Sequence, residues 1–455
     1  MTYKPFLSAL FWNAFNVFLY KIILQTHQVC LFYIITKELF GISGTLFSTM
    51  YLLISLTNFG FDYSLFAFHR YYITSQNHFK KIMHQSIVRI LIILATAACL
   101  LWISQNFTHV PQVAFITQYL TPALTFLLIF IFITESLKKS CELFAQLSFL
   151  NKTITLVEIT TLFTYISMVW SSYFIRGFID IYTIFIPMAI ASCAELCIVT
   201  ARLAIFYKTL PKHSATPFPI NSKKIFYNQA VNYLNQITKA LFSPNFIIIF
   251  LAYRLGIVKA GYIKLIIDSI ILLYMLLNRA VGISTGALMS QGSDISNTDF
   301  PYFKTSFLKI TNHYLQFLYG LIIISACAIM PCLIKANCLG TIVTTNILLF
   351  AVAGFFEYII ITYEKLFITQ GAEQKLAFIN LLSLTFIAPA LWYSAYLPPA
   401  CLLLPFILIR LCSSSLIALV AFKTWSLAPS FQIKISTILI TMPPSVALLL
   451  WHLKT

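Results

Sequence analysis

Apolar stretches of bilayer-spanning length recur along the chain with little polar sequence between them. A helix rising 1.5 Å per residue needs roughly 20 apolar residues to cross the hydrocarbon. Such runs fall at residues 8–36, 42–68, 84–104, 114–137, 153–175 and 180–207. After a polar stretch they resume at 225–253, 262–289, 305–334, 342–369, 375–395 and 399–422. A thirteenth run, 435–453, is interrupted by Pro443 and Pro444, so it spans, re-enters or lies at the surface. The pattern predicts an all-α polytopic membrane protein of 12 to 13 transmembrane helices. Pro211, Pro217 and Pro219 mark residues 208–224 as a linker between a first six-helix bundle, 1–207, and a second, 225–424, leaving 425–455 as an extra hydrophobic segment.

Composition narrows this further. The 455 residues are 60% hydrophobic and only 9% charged, against roughly a quarter charged in an ordinary soluble domain, so lipid must be the solvent. Thirty Lys and Arg against thirteen acids give a formal charge of +17. With so few charges this cannot form the broad basic face of a nucleic-acid binder, and it is expected at one membrane surface. The connections after even-numbered runs are the richer in base: Arg70, Lys80 and Lys81; Lys138, Lys139 and Lys152; Lys208, Lys212, Lys223 and Lys224; Lys304; Lys375; Lys423 and Lys434. Positively charged short loops stay cytoplasmic, so the N-terminus is expected inside, in a multi-pass protein of the inner (cytoplasmic) membrane. The first apolar run continues past residue 30 without a small-x-small cleavage site, which reads as a spanning helix rather than a removed leader. The ten cysteines form no C-x-x-C pair and read as small core residues.

The chain also repeats itself. Asn13-x-x-Asn16 in the first run is matched by Asn232-x-x-Asn235 in the seventh, an offset of 219 (232 minus 13). Lys21 then pairs with Lys239, Gly41 with Gly261, Asn58 with Asn278, and Leu143-Phe144…Lys152 with Leu366-Phe367…Lys375, all at offsets between 218 and 223. Five matches in order at a nearly constant spacing indicate an internal duplication. An offset of six helices, an even number, makes the halves parallel repeats related by an axis along the membrane normal. Such a pair encloses a cavity between its halves, as suits a transporter that rocks between inward-open and outward-open states.

Polar residues inside the apolar runs mark candidate function. Asn228, Asn232, Asn235, Gln236 and Lys239 fall in one stripe of the seventh run, and Asn13, Asn16, Tyr20, Lys21 and Gln28 on a broader face of the first. Lys21 and Lys239 lie about 20 Å from either end of their runs, at a depth where an ammonium costs roughly 2.5 to 3.5 kcal/mol. One reading is that these groups glue helices together; the other is that two equivalent deep cations face a cavity holding an anionic ligand. Pro244 follows the stripe and is placed to kink the helix. Among the scattered acids Glu158, Glu195, Asp268, Glu357 and Glu364, the candidates for H+ or Na+ coupling are Asp268 and Glu357, and their alternative role is as counter-ions to Arg279, Lys239 or another buried base. Arg89 and Arg410 fit either the cavity or such pairs.

No D-x-D, E-x-D, H-E-x-x-H or Walker A motif appears. No enzyme activity, metal or cofactor is expected, and the isolated His27 and His313 read as packing residues.

Three segments, Leu39-Phe-Gly-Ile-Ser-Gly44, the helix reaching Asn58-Phe-Gly60, and Val281-Gly-Ile-Ser-Thr-Gly-Ala-Leu-Met-Ser-Gln-Gly292, resemble the second and eighth helices of the multidrug/oligosaccharidyl-lipid/polysaccharide (MOP) flippase superfamily. The resemblance covers the first twelve runs and implies two pseudo-symmetric six-helix bundles, MATE-like, around a central cavity that works by alternating access. MATE drug exporters of that superfamily use a carboxylate in the first helix, and this chain has no acid between Met1 and Lys37. That departure favours the polysaccharide-transporter (Wzx-type) branch, whose substrates are sugars on a polyprenyl pyrophosphate. It implies that Lys21 and Lys239 neutralise the pyrophosphate while Asn13, Asn16, Asn228, Asn232, Asn235 and Gln236 bond to sugar hydroxyls. The expected partners are therefore a lipid-linked anionic oligosaccharide, membrane lipid and a coupling H+ or Na+, with no nucleic acid. The competing expectations are a cation-coupled MATE-type exporter, which needs an acidic or aromatic pocket, and a membrane glycan polymerase or glycosyltransferase, which needs a larger charged external loop than any found here.

Overall fold

A computed structural model describes residues 3–106, 119–148, 150–212, 222–277 and 372–425, with 346, 349, 363, 364, 367 and 368 as isolated positions. The elements in chain order are α1 (Tyr3–Ile34), α2 (Lys37–Leu56), α3 (Phe61–Tyr72), α4 (Gln76–Asn106), α5 (Pro122–Leu147), α6 (Asn151–Arg176), α7 (Ile181–Thr209), α8 (Ser222–Leu241), α9 (Pro244–Leu255) and α10 (Ile257–Leu277). After the undescribed stretch come α11 (Glu373–Thr385), α12 (Ile387–Ser394), a 3-10 turn (Pro399–Cys401) and α13 (Leu404–Trp425). The protein is an all-α polytopic membrane protein. Only helices satisfy every backbone group internally in a medium without water, and among the described residues seven helices are long and apolar enough to cross a bilayer, or eight if α8 and α9 count as one bent span. The expected runs at 305–334 and 435–453, and most of 342–369, lie outside the described residues.

Helix boundaries follow local chemistry. Thr36, Thr121 and Ser243 accept backbone N–H bonds at the starts of α2, α5 and α9, with Pro122 and Pro244 in the first turn, where a missing N–H costs nothing. Asp180 and Thr183 close a reciprocal capping box at the start of α7. Gly177 ends α6 in the left-handed conformation, at φ 76°.

Three expected runs are broken rather than straight. The run 42–68 divides at Thr57–Gly60, where Phe59 and Gly60 take φ of 50° and 71°. The run 225–253 divides before Pro244 with a 44° bend, as the proline predicts. The run 375–395 divides at Phe386. The fourth run also shifts: 114–137 is observed as α5, Pro122–Leu147, so Lys138 and Lys139, read above as loop residues, lie within a helix.

By internal contacts the chain forms two compact units, residues 1–265 and 266–455. In the first, α5, α6 and α7 pack together, α1 lies along α6, and α2 packs against α9 and, with α3, against α8. Its core is apolar, built on Leu31, Phe40, Leu46, Ile54, Ile131, Phe132, Val169, Ile184 and Phe185. Large apolar side chains also cover the outside, including Phe126 (62% exposed), Phe174 (79%) and Ile175 (84%), as lipid-facing surfaces require. At the start of α2 and α10 the helices meet backbone to backbone. A Cβ on Gly41 would fall 2.4 Å from the Ile257 carbonyl oxygen, and one on Gly261 would fall 2.9 Å from Gly41 Cα, so the two glycines paired by the sequence repeat meet one another. In the second unit α11, α12 and α13 pack on each other, and Asn346 donates to the Pro399 carbonyl at 2.8 Å.

Candidate functional site

The first unit buries an unusual number of charges. On α5, Glu135, Lys138 and Glu142 stand at i, i+3 and i+7, which places them on one face. Glu158 and Thr161 face them from α6, Ser192 and Glu195 from α7, and Asn16 from α1. Lys138 Nζ contacts Glu135 Oε1 at 2.7 Å and Glu195 Oε2 at 3.0 Å. The Ser192 hydroxyl donates to Glu135, Thr161 Oγ1 donates to Glu195 at 3.3 Å, and the Asn16 amide donates to Glu158. Glu142, Glu158 and Glu195 bring carboxylate oxygens within 4.8 Å of one another, all three buried. The Lys138 ammonium thus meets two of the four buried carboxylates in a low-dielectric interior, where an uncompensated charge is costly.

A second set lies where α3, α4, α5 and α8 face each other. Arg89, 3% exposed, donates through Nη2 to the Ser136 carbonyl at 3.1 Å and stands 3.8 Å from Asp62, with its guanidinium 5.2 Å from the Phe61 ring centroid. Its Nε and Nη1 are buried without a hydrogen-bond partner. Lys139 lies within electrostatic reach of Asp62, Arg89, Lys239 and Glu142, yet its side chain stays accessible.

The polar stripes have mixed fates. On α8, Asn228, Asn232, Asn235 and Gln236 are buried. Asn232 bonds back to Asn228, to its carbonyl at 3.0 Å and to Oδ1 at 3.2 Å, and Asn235 donates to Asn232 at 3.0 Å. Gln236 spans to the α2–α3 break, donating to the Ser55 carbonyl at 2.5 Å and accepting from the Gly60 N–H at 3.1 Å. On α1, Asn13 and Asn16 are buried, and Lys21, like Lys239 on α8, is partly buried and engaged. Asp268 is partly buried on α10, and Glu357 lies outside the described residues. His27 accepts from Trp170 Nε1 at 3.1 Å and meets the Tyr165 ring edge-on, a packing role.

The sequence reading passed over Glu135 at the end of the run 114–137 and left Lys138 and Glu142 in an expected loop, because they stand at the charged end of an apolar run. Their spacing along one helical face was the available signal.

No protein-family model and no curated protein matches the chain in sequence. Solved structures do match in fold. The eukaryotic MATE transporter AtDTX14 superposes with a TM-score of 0.57 at 12% identity, over 92% of this chain and 94% of that one. An outward-facing multidrug resistance MATE family transporter of the MOP superfamily gives 0.58 at 10% identity, over 91% and 94%. A chain designated protein A gives 0.68 at 14% identity, over 92% and 95%. The fold is that of the MATE transporters.

Proposed function

We propose that this protein is a transporter that flips a polyprenyl-pyrophosphate-linked oligosaccharide from the cytoplasmic to the outer leaflet by alternating access, in polysaccharide biosynthesis such as that of lipopolysaccharide O-antigen. It acts in the inner membrane with its N-terminus in the cytoplasm. The observation that carries the reading is the buried Arg89 guanidinium, which has Asp62 3.8 Å from Nη1 yet keeps Nε and Nη1 without a hydrogen-bond partner. Guanidinium N–H groups and ammonium charges together suit a pyrophosphate. Lys21 on α1 adds a further deep cation, and the buried amides of α1 and α8 suit sugar hydroxyls. Coupling to H+ or Na+ is assigned to Asp268 and Glu357.

The buried carboxylates of α5, α6 and α7 favour a second reading, a cation-coupled MATE-type exporter, because organic cations need an acidic or aromatic pocket. Complementation separates the two. In a bacterium lacking its own oligosaccharide flippase, the wild-type chain is expected to restore surface glycan, and Lys21→Ala or Lys239→Ala at matched expression to abolish the rescue. Resistance to cationic dyes in those cells, without restored glycan, would replace the flippase with the exporter.

A further inference from the structure

The basic residues where α4 begins and α7 ends have no part in the substrate reading. Lys80 and Lys81 in the first turns of α4, Lys208 in the last turn of α7 and Lys212 just beyond it are all exposed. The two helix ends are joined. The Gln76 N–H donates to the Pro211 carbonyl at 2.8 Å, the Gln76 side-chain amide donates to the Leu210 carbonyl at 3.0 Å, and the Phe79 and Tyr207 rings meet at 5.3 Å between centroids. The chain supplies no acid on either side of this junction, since residues 63–134 and 196–267 contain no Asp or Glu.

Helix rotation fixes where the lysines point. Both helices are long and apolar enough to cross a bilayer, and the start of one meets the end of the other, so they run antiparallel. Each residue advances about 100° around its helix, which turns Lys80 and Lys208 by equal angles away from the rings of Phe79 and Tyr207 that precede them. Because the helices run in opposite directions, both lysines turn to the same side of the pair. That side faces lipid: on α4 it continues through exposed Ile87, Leu91 and Leu94, and on α7 through exposed Ile205, Ile198 and Ile190. The side of α4 turned away from it carries buried Arg89 and Ile93.

We propose that Lys80 and Lys208, with Lys81 and Lys212 beside them, form a headgroup site for an anionic phospholipid whose acyl chains lie along the exposed apolar faces of α4 and α7. Basic side chains at the ends of spans attract anionic headgroups, and here two helices present them together above one continuous apolar surface. An acidic protein segment would leave that surface uncovered, whereas a phospholipid matches both parts. The bound lipid braces from outside the junction that Gln76 makes from within. The site does not depend on which substrate the protein carries.

The test is native mass spectrometry of the purified full-length protein, titrated with phosphatidylglycerol and separately with phosphatidylcholine of the same acyl chains. Wild-type protein is expected to retain phosphatidylglycerol at concentrations where phosphatidylcholine is lost. Lys80→Gln combined with Lys208→Gln is expected to weaken that retention at least about tenfold, since each lysine near an anionic headgroup is worth about fivefold. Lys223→Gln combined with Lys224→Gln removes the same charge from exposed positions on α8 and is expected to leave retention unchanged. Lys80→Arg combined with Lys208→Arg keeps the charge and is expected to keep the lipid, and monodisperse gel filtration checks the folding of each variant. Equal retention of the two lipids by wild-type protein would overturn the proposal. So would wild-type retention in the Lys80→Gln, Lys208→Gln protein, or an equal loss in the α8 pair, which would make the effect one of net charge. Displacement of the lipid by inorganic phosphate would also overturn it, by making the patch a site for the free anion.

Discussion

Gly41→Ala adds a single methyl group at the point where α2 and α10 run closest. That methyl carbon would sit 2.4 Å from the Ile257 carbonyl oxygen, 2.8 Å from Ile257 Cγ2 and 2.9 Å from the Ile257 carbonyl carbon. Ordinary contacts of this kind begin near 3.4 Å, so relief requires about 1 Å of separation (3.4 minus 2.4). The obstructing atoms are backbone, which no rotamer change can move. Overpacking of this order costs about 1–3 kcal/mol, and Gly41→Val exceeds Gly41→Ala because it adds two more methyl groups at the same contact with Ile257. The assay is the thermal midpoint of detergent-solubilised protein followed by fluorescence-detected gel filtration, alongside glycan complementation. Gly177→Ala is the comparison: a Cβ there meets nothing within 4 Å, and only the left-handed φ of 76° penalises it, by about 1–2 kcal/mol. Gly41→Val, which parts α2 from α10 at this contact, is expected to impair transport even where protein accumulates. A Gly41→Ala protein as stable and as active as wild type would refute the close approach.

Gln236→Leu deletes the bonds to the Ser55 carbonyl and from the Gly60 N–H, leaving the buried Gly60 N–H unpaired at the α2–α3 break while the Ser55 carbonyl keeps its bond from the Asn58 N–H; a loss of about 1–3 kcal/mol is expected, read as faster hydrogen exchange around Gly60 than around Leu46. Asp180→Ala removes the cap of α7 and is expected to cost about 0.5–2 kcal/mol in the same melting assay, with surface-glycan rescue retained because the residue lies far along α7 from Glu195. Lys239→Ala is expected to abolish glycan rescue while leaving the melting midpoint nearly unchanged, and an equal loss of both would make the lysine structural.

The spans were legible because lipid imposes a rule on each stretch of chain separately: about 20 residues, mostly apolar, with all backbone groups paired inside the helix. Pro244 announced the α8–α9 break for an equally local reason, since proline removes a backbone N–H and blocks the preceding turn. The burial of Asn13, Asn16, Asn232 and Asn235 followed from the same cost of polar groups in hydrocarbon. Partnership did not. Asn16 meets Glu158 from 142 positions away and Gln236 meets Ser55 from 181, and neither helix records the rotation that aims its side chain at the other. In a soluble protein the polar face of a helix points to water and reveals that rotation, whereas here lipid-facing and core-facing sides are both apolar. Length and composition therefore determined an all-α membrane protein and most of its spans. The tertiary structure alone decided that Glu142, Glu158 and Glu195 meet, because like charges on three separate helices carry no local signal of being neighbours until packing sets the helices' rotation and register.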